Sequence, residues 1–176
     1  MRYLILSALF LVACVSSTES STEQKLGTSP LAALAGDWLC EGTYEDLPPF
    51  VVAHTVEATF HVAPSVGGLW LTGNYNETSS SDGVQLAIDD SVTLDPVVPG
   101  AGIRTFLDTQ TGQYQGGFTI AGEKMEHSGI YTFAHQQFPF TETWAVSDSV
   151  FTTEARLVLG VPLVFHRQHC KRAGRH

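Results

Sequence analysis

Residues 52–62, VAHTVEATFHV, alternate without a break. Val52, His54, Val56, Ala58, Phe60 and Val62 fall on one side, and Ala53, Thr55, Glu57, Thr59 and His61 on the other. Successive side chains of an extended chain point to opposite faces, so a period of two marks a strand with one face on a core. The period recurs upstream around Trp38 and downstream over Leu69–Tyr75, Val84–Leu94, Ile103–Asp108, Tyr114–Ile120, Met125–Phe133, Phe138–Val146, Phe151–Leu159 and Val161–Cys170. Short turn signals separate these runs: Ser81-Asp82-Gly83, Pro99-Gly100-Ala101-Gly102, Thr111-Gly112, Ala121-Gly122 and Leu159-Gly160. Helical spacing is confined to one turn, Pro30–Leu34, with proline at its first position. The predicted fold is all-β, one antiparallel up-and-down barrel of about eight to ten strands, because closing a long meander removes its exposed edges. The glycine pairs Gly67-Gly68 and Gly116-Gly117 read as bulges or bends. Both faces of the strands carry apolar residues, so the pattern does not say which face points inward.

Upstream of the strands the chain reads as an address. Arg2 is followed by an apolar run, Tyr3 to Val12, too short to span a bilayer as a mature helix. The run ends in Leu11-Val12-Ala13-Cys14, which resembles a bacterial lipobox. That resemblance implies a signal peptide over residues 1–13 and acylation of Cys14. The alternative is an ordinary signal cleaved nearby, with Cys14 incidental. Residues 15–29 hold eight Ser or Thr and only two large aliphatic residues, too few to fold. Residues 14–29 are therefore expected to be a lipidated cysteine and a flexible tether, and 30–176 the barrel domain. Two or more acyl chains give stable anchoring. Val15 is not aspartate, which favours the outer membrane.

The net charge of −9 in 176 residues argues against nucleic acid as a partner. Basic residues gather at the end: His166–His176 holds Arg167, Lys171, Arg172 and Arg175 and no acid. This stretch reads either as a tail folded on the acidic barrel or as a contact for anionic lipid.

With Cys14 lipidated, two cysteines remain. Cys40 lies in the first strand and Cys170 at the end of the last, which an up-and-down barrel makes neighbours. An exported compartment permits oxidation, so a Cys40–Cys170 disulfide is expected.

Leu34-Ala35-Gly36-Asp37-Trp38 followed by Glu41-Gly42-Thr43-Tyr44 resembles the opening of a calycin-type barrel, the group that includes lipocalins and fatty-acid-binding proteins. The resemblance implies that Gly36 and Trp38 start the first strand and that a late arginine, Arg167 or Arg172, packs on the tryptophan, with Arg167 taken as the signature residue. Gly67-Gly68-Leu69-Trp70-Leu71 and Phe140-Thr141-Glu142-Thr143-Trp144 further resemble the bacterial family DUF1579. That family has no agreed activity. Nitrobindins, calycins that hold haem through a late-strand histidine, have a similar opening. His166 and His169 are the positions for such a ligand here, but the rest of that motif is not evident. No resident cofactor or metal is otherwise expected.

Five residues are candidates to line a ligand cavity: His54, His127, Tyr131, Glu142 and Trp144. His54 shares a face with Val52, Val56 and Phe60 and reads either as a core or rim histidine or as a polar cavity group. Glu57 and His61, on the opposite face, are expected in solvent. His127 shares a face with Met125, Tyr131 and Phe133, and Glu142 with Phe138, Phe140 and Trp144. A carboxylate among bulky neighbours is either an acid–base group or the partner of Arg156 or Arg104. No nucleophile elbow, phosphate loop or metal-ligand string is present, so no catalytic residue is assigned. The leading function is a membrane-anchored barrel binding a small apolar or amphipathic molecule. The alternatives are an envelope structural or interaction lipoprotein with a filled barrel, an enzyme using the His127/Glu142 pair, and a haem-binding protein.

Overall fold

A computed structural model describes residues 30–65 and 70–174. The signal, Cys14, the tether and the Gly67-Gly68 bend lie outside the described residues, as do Arg175 and His176. One helical turn, α1 (Pro30–Leu34), is followed by ten strands: β1 (Gly36–Tyr44), β2 (His54–Ser65), β3 (Trp70–Ser80), β4 (Ala87–Leu94), β5 (Ala101–Asp108), β6 (Gln113–Ala121), β7 (Lys124–Phe133), β8 (Gln136–Val146), β9 (Val150–Leu159) and β10 (Val161–Arg172). Each pairs antiparallel with its sequence neighbours, and β1 pairs with β10 to close the barrel. The strand count is at the top of the expected range.

Closure sets Cys40 directly opposite Cys170, and a disulfide joins them. A link between the first and last strands closes a loop of 130 residues, which removes much of the unfolded chain's freedom.

The inward face is the one that carries Val56, Ala58, Phe60 and Val62. Glu57 and His61 face solvent, as expected. Two positions depart from the simple period. Val52 is 71% exposed and precedes β2, because Val52 and Ala53 belong to the loop that carries Pro48-Pro49. Gly116-Gly117 is not a bulge: both residues pair regularly with β5 and β7. A Cβ on Gly116 would lie 2.1 Å from the Tyr114 hydroxyl, so that glycine makes room for a luminal ring. The register shifts lie instead between Glu57 and Ala58 in β2 and between Val164 and His166 in β10. The β7–β8 turn carried no glycine signal. Ala134 and His135 take positive φ there, at 49° and 63°.

The lumen packs in two tiers. The lower contains Leu31, Leu34, Trp38, Phe60, Met125, Trp144 and Phe151. The upper contains Leu47, Phe106, Tyr114, Phe138, Phe140 and Leu157. α1 plugs the lower end, with Leu31 and Leu34 fully buried. Trp38 Nε1 donates to the Leu34 carbonyl at 2.8 Å. The late arginine on Trp38 is Arg172, not Arg167: its guanidinium lies 4.3 Å from the ring centroid. Arg172 also donates to the carbonyls of Ala33 and Ala35, at 2.5 and 2.8 Å, where helical carbonyls lack partners and favour a cation. Gly36 leaves space for it, since a Cβ there would meet the guanidinium at 2.5 Å. Arg167 sits on the alternate phase of β10 and points outward, where it bonds Glu154 and Glu45, each at 2.9 Å. Most of the expected basic tail is therefore strand, with only Ala173 and Gly174 described beyond it.

Candidate functional site: the luminal cavity

A cavity of about 160 Å³ occupies the lumen and opens at the end opposite α1. Phe50 and Val51 from the β1–β2 loop, Leu86 and Gln110 from turns, and Phe133 at the end of β7 surround its mouth. Twelve aromatic side chains line it, among them Tyr75, Phe106, Tyr131, Phe140 and Trp144. They converge because every second residue of ten strands faces one axis.

The polar centre of the lumen is ionic. Arg104 Nε donates to both oxygens of Asp90 at 3.1 and 2.9 Å, and a terminal nitrogen lies 2.7 Å from Oδ2. The other terminal nitrogen donates to Glu142 Oε2. All three side chains are at most 9% exposed. The guanidinium lies between the two tiers, 4.2 Å from the Trp144 centroid, 5.0 Å from Phe106 and 5.7 Å from Tyr114. Burial raises the Asp90 carboxyl above the usual carboxylate range despite the guanidinium beside it. Burial alone would favour a neutral Arg104, but Asp90 and Glu142 hold it charged, with its pKa raised.

Nearer the mouth a second network forms. Tyr44 and Tyr75 both donate to Glu77 Oε1, at 3.1 and 3.4 Å, and Gln168 donates to the Tyr75 hydroxyl at 3.0 Å. The Leu86 N–H donates to Glu77 Oε2 at 2.8 Å. Burial raises Glu77 and, together with that carboxylate, lifts both tyrosines above their usual range. Tyr131 donates to Asp108 at 2.8 Å. Three polar atoms of the lining have no contact with solvent and no hydrogen-bond partner: Trp144 Nε1, Thr153 Oγ1 and His166 Nε2. Unmade hydrogen bonds at buried groups are costly, which makes them the natural contacts of a bound molecule.

Of the five expected lining residues, Tyr131, Glu142 and Trp144 line the cavity. Glu142 takes Arg104 as partner, while Arg156 pairs with Glu154 on the outer wall. His54 is a rim residue outside the lining. It stacks on Tyr44 with 4.4 Å between centroids and donates to the Val52 carbonyl at 2.6 Å. His127 faces inward but lies outside the cavity lining: it is 2% exposed, lies 4.5 Å from Trp144, and neither ring nitrogen has a partner. Burial holds its pKa well below the usual value. His127 and Glu142 are direct cross-strand partners but make no hydrogen bond.

Sequence reading missed Asp90 and Thr153 as luminal groups. Asp90 did leave a signal, a charge in phase with Ile88, Val92 and Leu94. Thr153, in a run where both phases carry threonine, left none.

His166 faces in and His169 out. Burial lowers His166 to about 4, with His54 adding to the effect, so the ring is neutral. As a haem ligand its free Nε2 is suited in kind. The space is not, because about 160 Å³ is well below the roughly 300–1,000 Å³ of ordinary ligand sites, and a porphyrin needs more than that cavity offers. No group of three or more His, Cys, Asp or Glu that could hold a metal ion occurs among the described residues.

The chain is a closed up-and-down barrel with a lined lumen, and solved structures share that fold. The chain is similar to the crystal structure of Rv2717c from M. tuberculosis, with a TM-score of 0.63, 14% identity, and coverage of 82% of this chain and 95% of that one. It is also similar to the S-type phycobiliprotein lyase CPES from Guillardia theta, with a TM-score of 0.58, 9% identity, and coverage of 83% and 92%. At these identities the likeness is one of fold. No family model and no curated protein matches the chain.

Proposed function

We propose that this protein is an envelope lipoprotein, anchored through Cys14, whose barrel binds a small amphipathic molecule in its lumen. The observation that carries the reading is the aromatic cavity with three buried, unpartnered polar atoms in its wall. An apolar pocket with a few convergent polar groups is the usual form of a small-ligand site. The first strand starts at the plugged end, so a tether over residues 14–29 would join the barrel at the end opposite the mouth. Val15, in place of an aspartate after Cys14, favours the outer membrane.

Native mass spectrometry of the protein purified from its own membranes tests the binding. A mass above that of the acylated chain, lost on solvent extraction, is the expected result. A bare protein that also takes up no probe overturns it. Radiolabelled palmitate tests the anchor: label and membrane fractionation are both expected to vanish in Cys14→Ser.

A further inference from the structure

The ligand class can be narrowed, given the luminal site proposed above. We propose that the lumen selects amphiphiles with a cationic head, such as small aromatic amines, over carboxylates of the same size.

The lining carries three carboxylates, Asp90, Asp108 and Glu142, against one guanidinium. That guanidinium is already committed. Nε and one terminal nitrogen of Arg104 serve Asp90, and the other terminal nitrogen serves Glu142. An incoming carboxylate would have to displace one of these acids and would leave it buried without its partner, which is strongly unfavourable. An ammonium displaces nothing. Glu142 engages Arg104 through Oε2 alone, so Oε1 is open to a donor.

A second acceptor stands beside it. Thr153 lies opposite Trp144 and two residues along β9 from Ala155, the residue opposite Glu142; the residue is 7% exposed and its hydroxyl is unpartnered. Rows two residues apart on neighbouring strands are within side-chain reach. The surrounding rings act in the same direction, since an aromatic face attracts a cation through its quadrupole. Three acids to one base leave negative charge in the lining uncompensated, and a bound cation supplies the balance.

Calorimetry on the purified full-length protein at neutral pH, with 2-phenylethylamine, 2-phenylethanol and phenylacetate, isolates the head group at constant size. The amine is expected to bind roughly tenfold tighter than the alcohol, the scale of a desolvated cation–π contact. Phenylacetate is expected to be weakest. In Glu142→Gln the ratio of amine to alcohol affinity falls severalfold, the rings alone keeping the remainder, with circular dichroism confirming the fold. Thr153→Val is a second variant that leaves the ionic cluster whole, and it weakens the amine severalfold. A preference for phenylacetate, equal affinity for all three, or an amine preference unchanged in both variants overturns the charge selection and leaves the luminal site standing. Binding of none of the three removes the ligand reading, and this inference with it.

Discussion

The two ends of the barrel are made from the same ten strands and differ in how their side chains are tied. At the plugged end Trp38 is held between α1 and Arg172, Arg172 holds the carbonyls of Ala33 and Ala35, and Cys40 is bonded to Cys170. At the open end Phe50 reaches the lumen from a loop and meets Phe138 only edge-on, at 4.9 Å between centroids. There His166 stacks on Tyr44 and leaves its Nε2 without a partner. One end spends its polar groups on stability. The other holds a carboxylate, Glu77, between two tyrosines and leaves space among its rings.

The sharpest test of that contrast is truncation. Trp38→Ala is expected to destabilise by about 3–5 kcal/mol in denaturant unfolding, the range for emptying a large core site. Phe50→Ala is expected to cost about 1 kcal/mol and to act on ligand affinity instead. Equal losses would remove the distinction between the ends.

The ionic centre between the tiers should behave as a unit. Arg104→Met leaves two buried acids unpaired and is expected to cost about 3–5 kcal/mol. Adding Asp90→Asn and Glu142→Gln to it should recover most of that loss. A triple variant no more stable than the single one would show that the cluster is not coupled.

Replacing both Cys40 and Cys170 by serine is expected to cost about 2–5 kcal/mol, through the long loop the bond closes. The loss should appear in the unfolding midpoint and leave the amine-to-alcohol ratio unchanged, because the bond belongs to the plugged end.

A further effect is the pH dependence of His166. Its folded pKa, about 4, lies below the usual 6.5, so the folded state binds the proton less well than the unfolded chain. Its penalty is absent above pH 6.5 and grows as pH falls from 6.5 towards 4, reaching about 2 kcal/mol between pH 7 and pH 5. His127, also lowered by burial, adds a loss of the same sign. Asp90 and Glu77, raised by burial, oppose both. His166→Gln should flatten the fall in unfolding free energy between pH 7 and pH 5, and an unchanged slope would place the sensitivity elsewhere.

Much of the barrel was legible because it depends on local properties. Alternation over 52–62 and its repeats marked the strands, and glycines at 83, 100, 122 and 160 marked turns where φ is positive. The Ala134-His135 turn was silent because neither residue advertises that backbone. The site was legible in part. Tyr131, Glu142 and Trp144 announce themselves as bulky or charged groups on one phase. Choosing Arg104 over Arg156 for Glu142, or Arg172 over Arg167 for Trp38, needed the barrel, because each choice depends on which phase of a distant strand faces the axis.

By itself, then, the sequence determined a meander of about eight to ten short strands with its two barrel cysteines at the ends, since period, turn residues and chain order are local quantities. Only the tertiary structure decided which face is the lumen, how the charges inside it pair, and that space remains among the rings. Those depend on register summed around a closed circle, where a shift of one residue exchanges inside for outside.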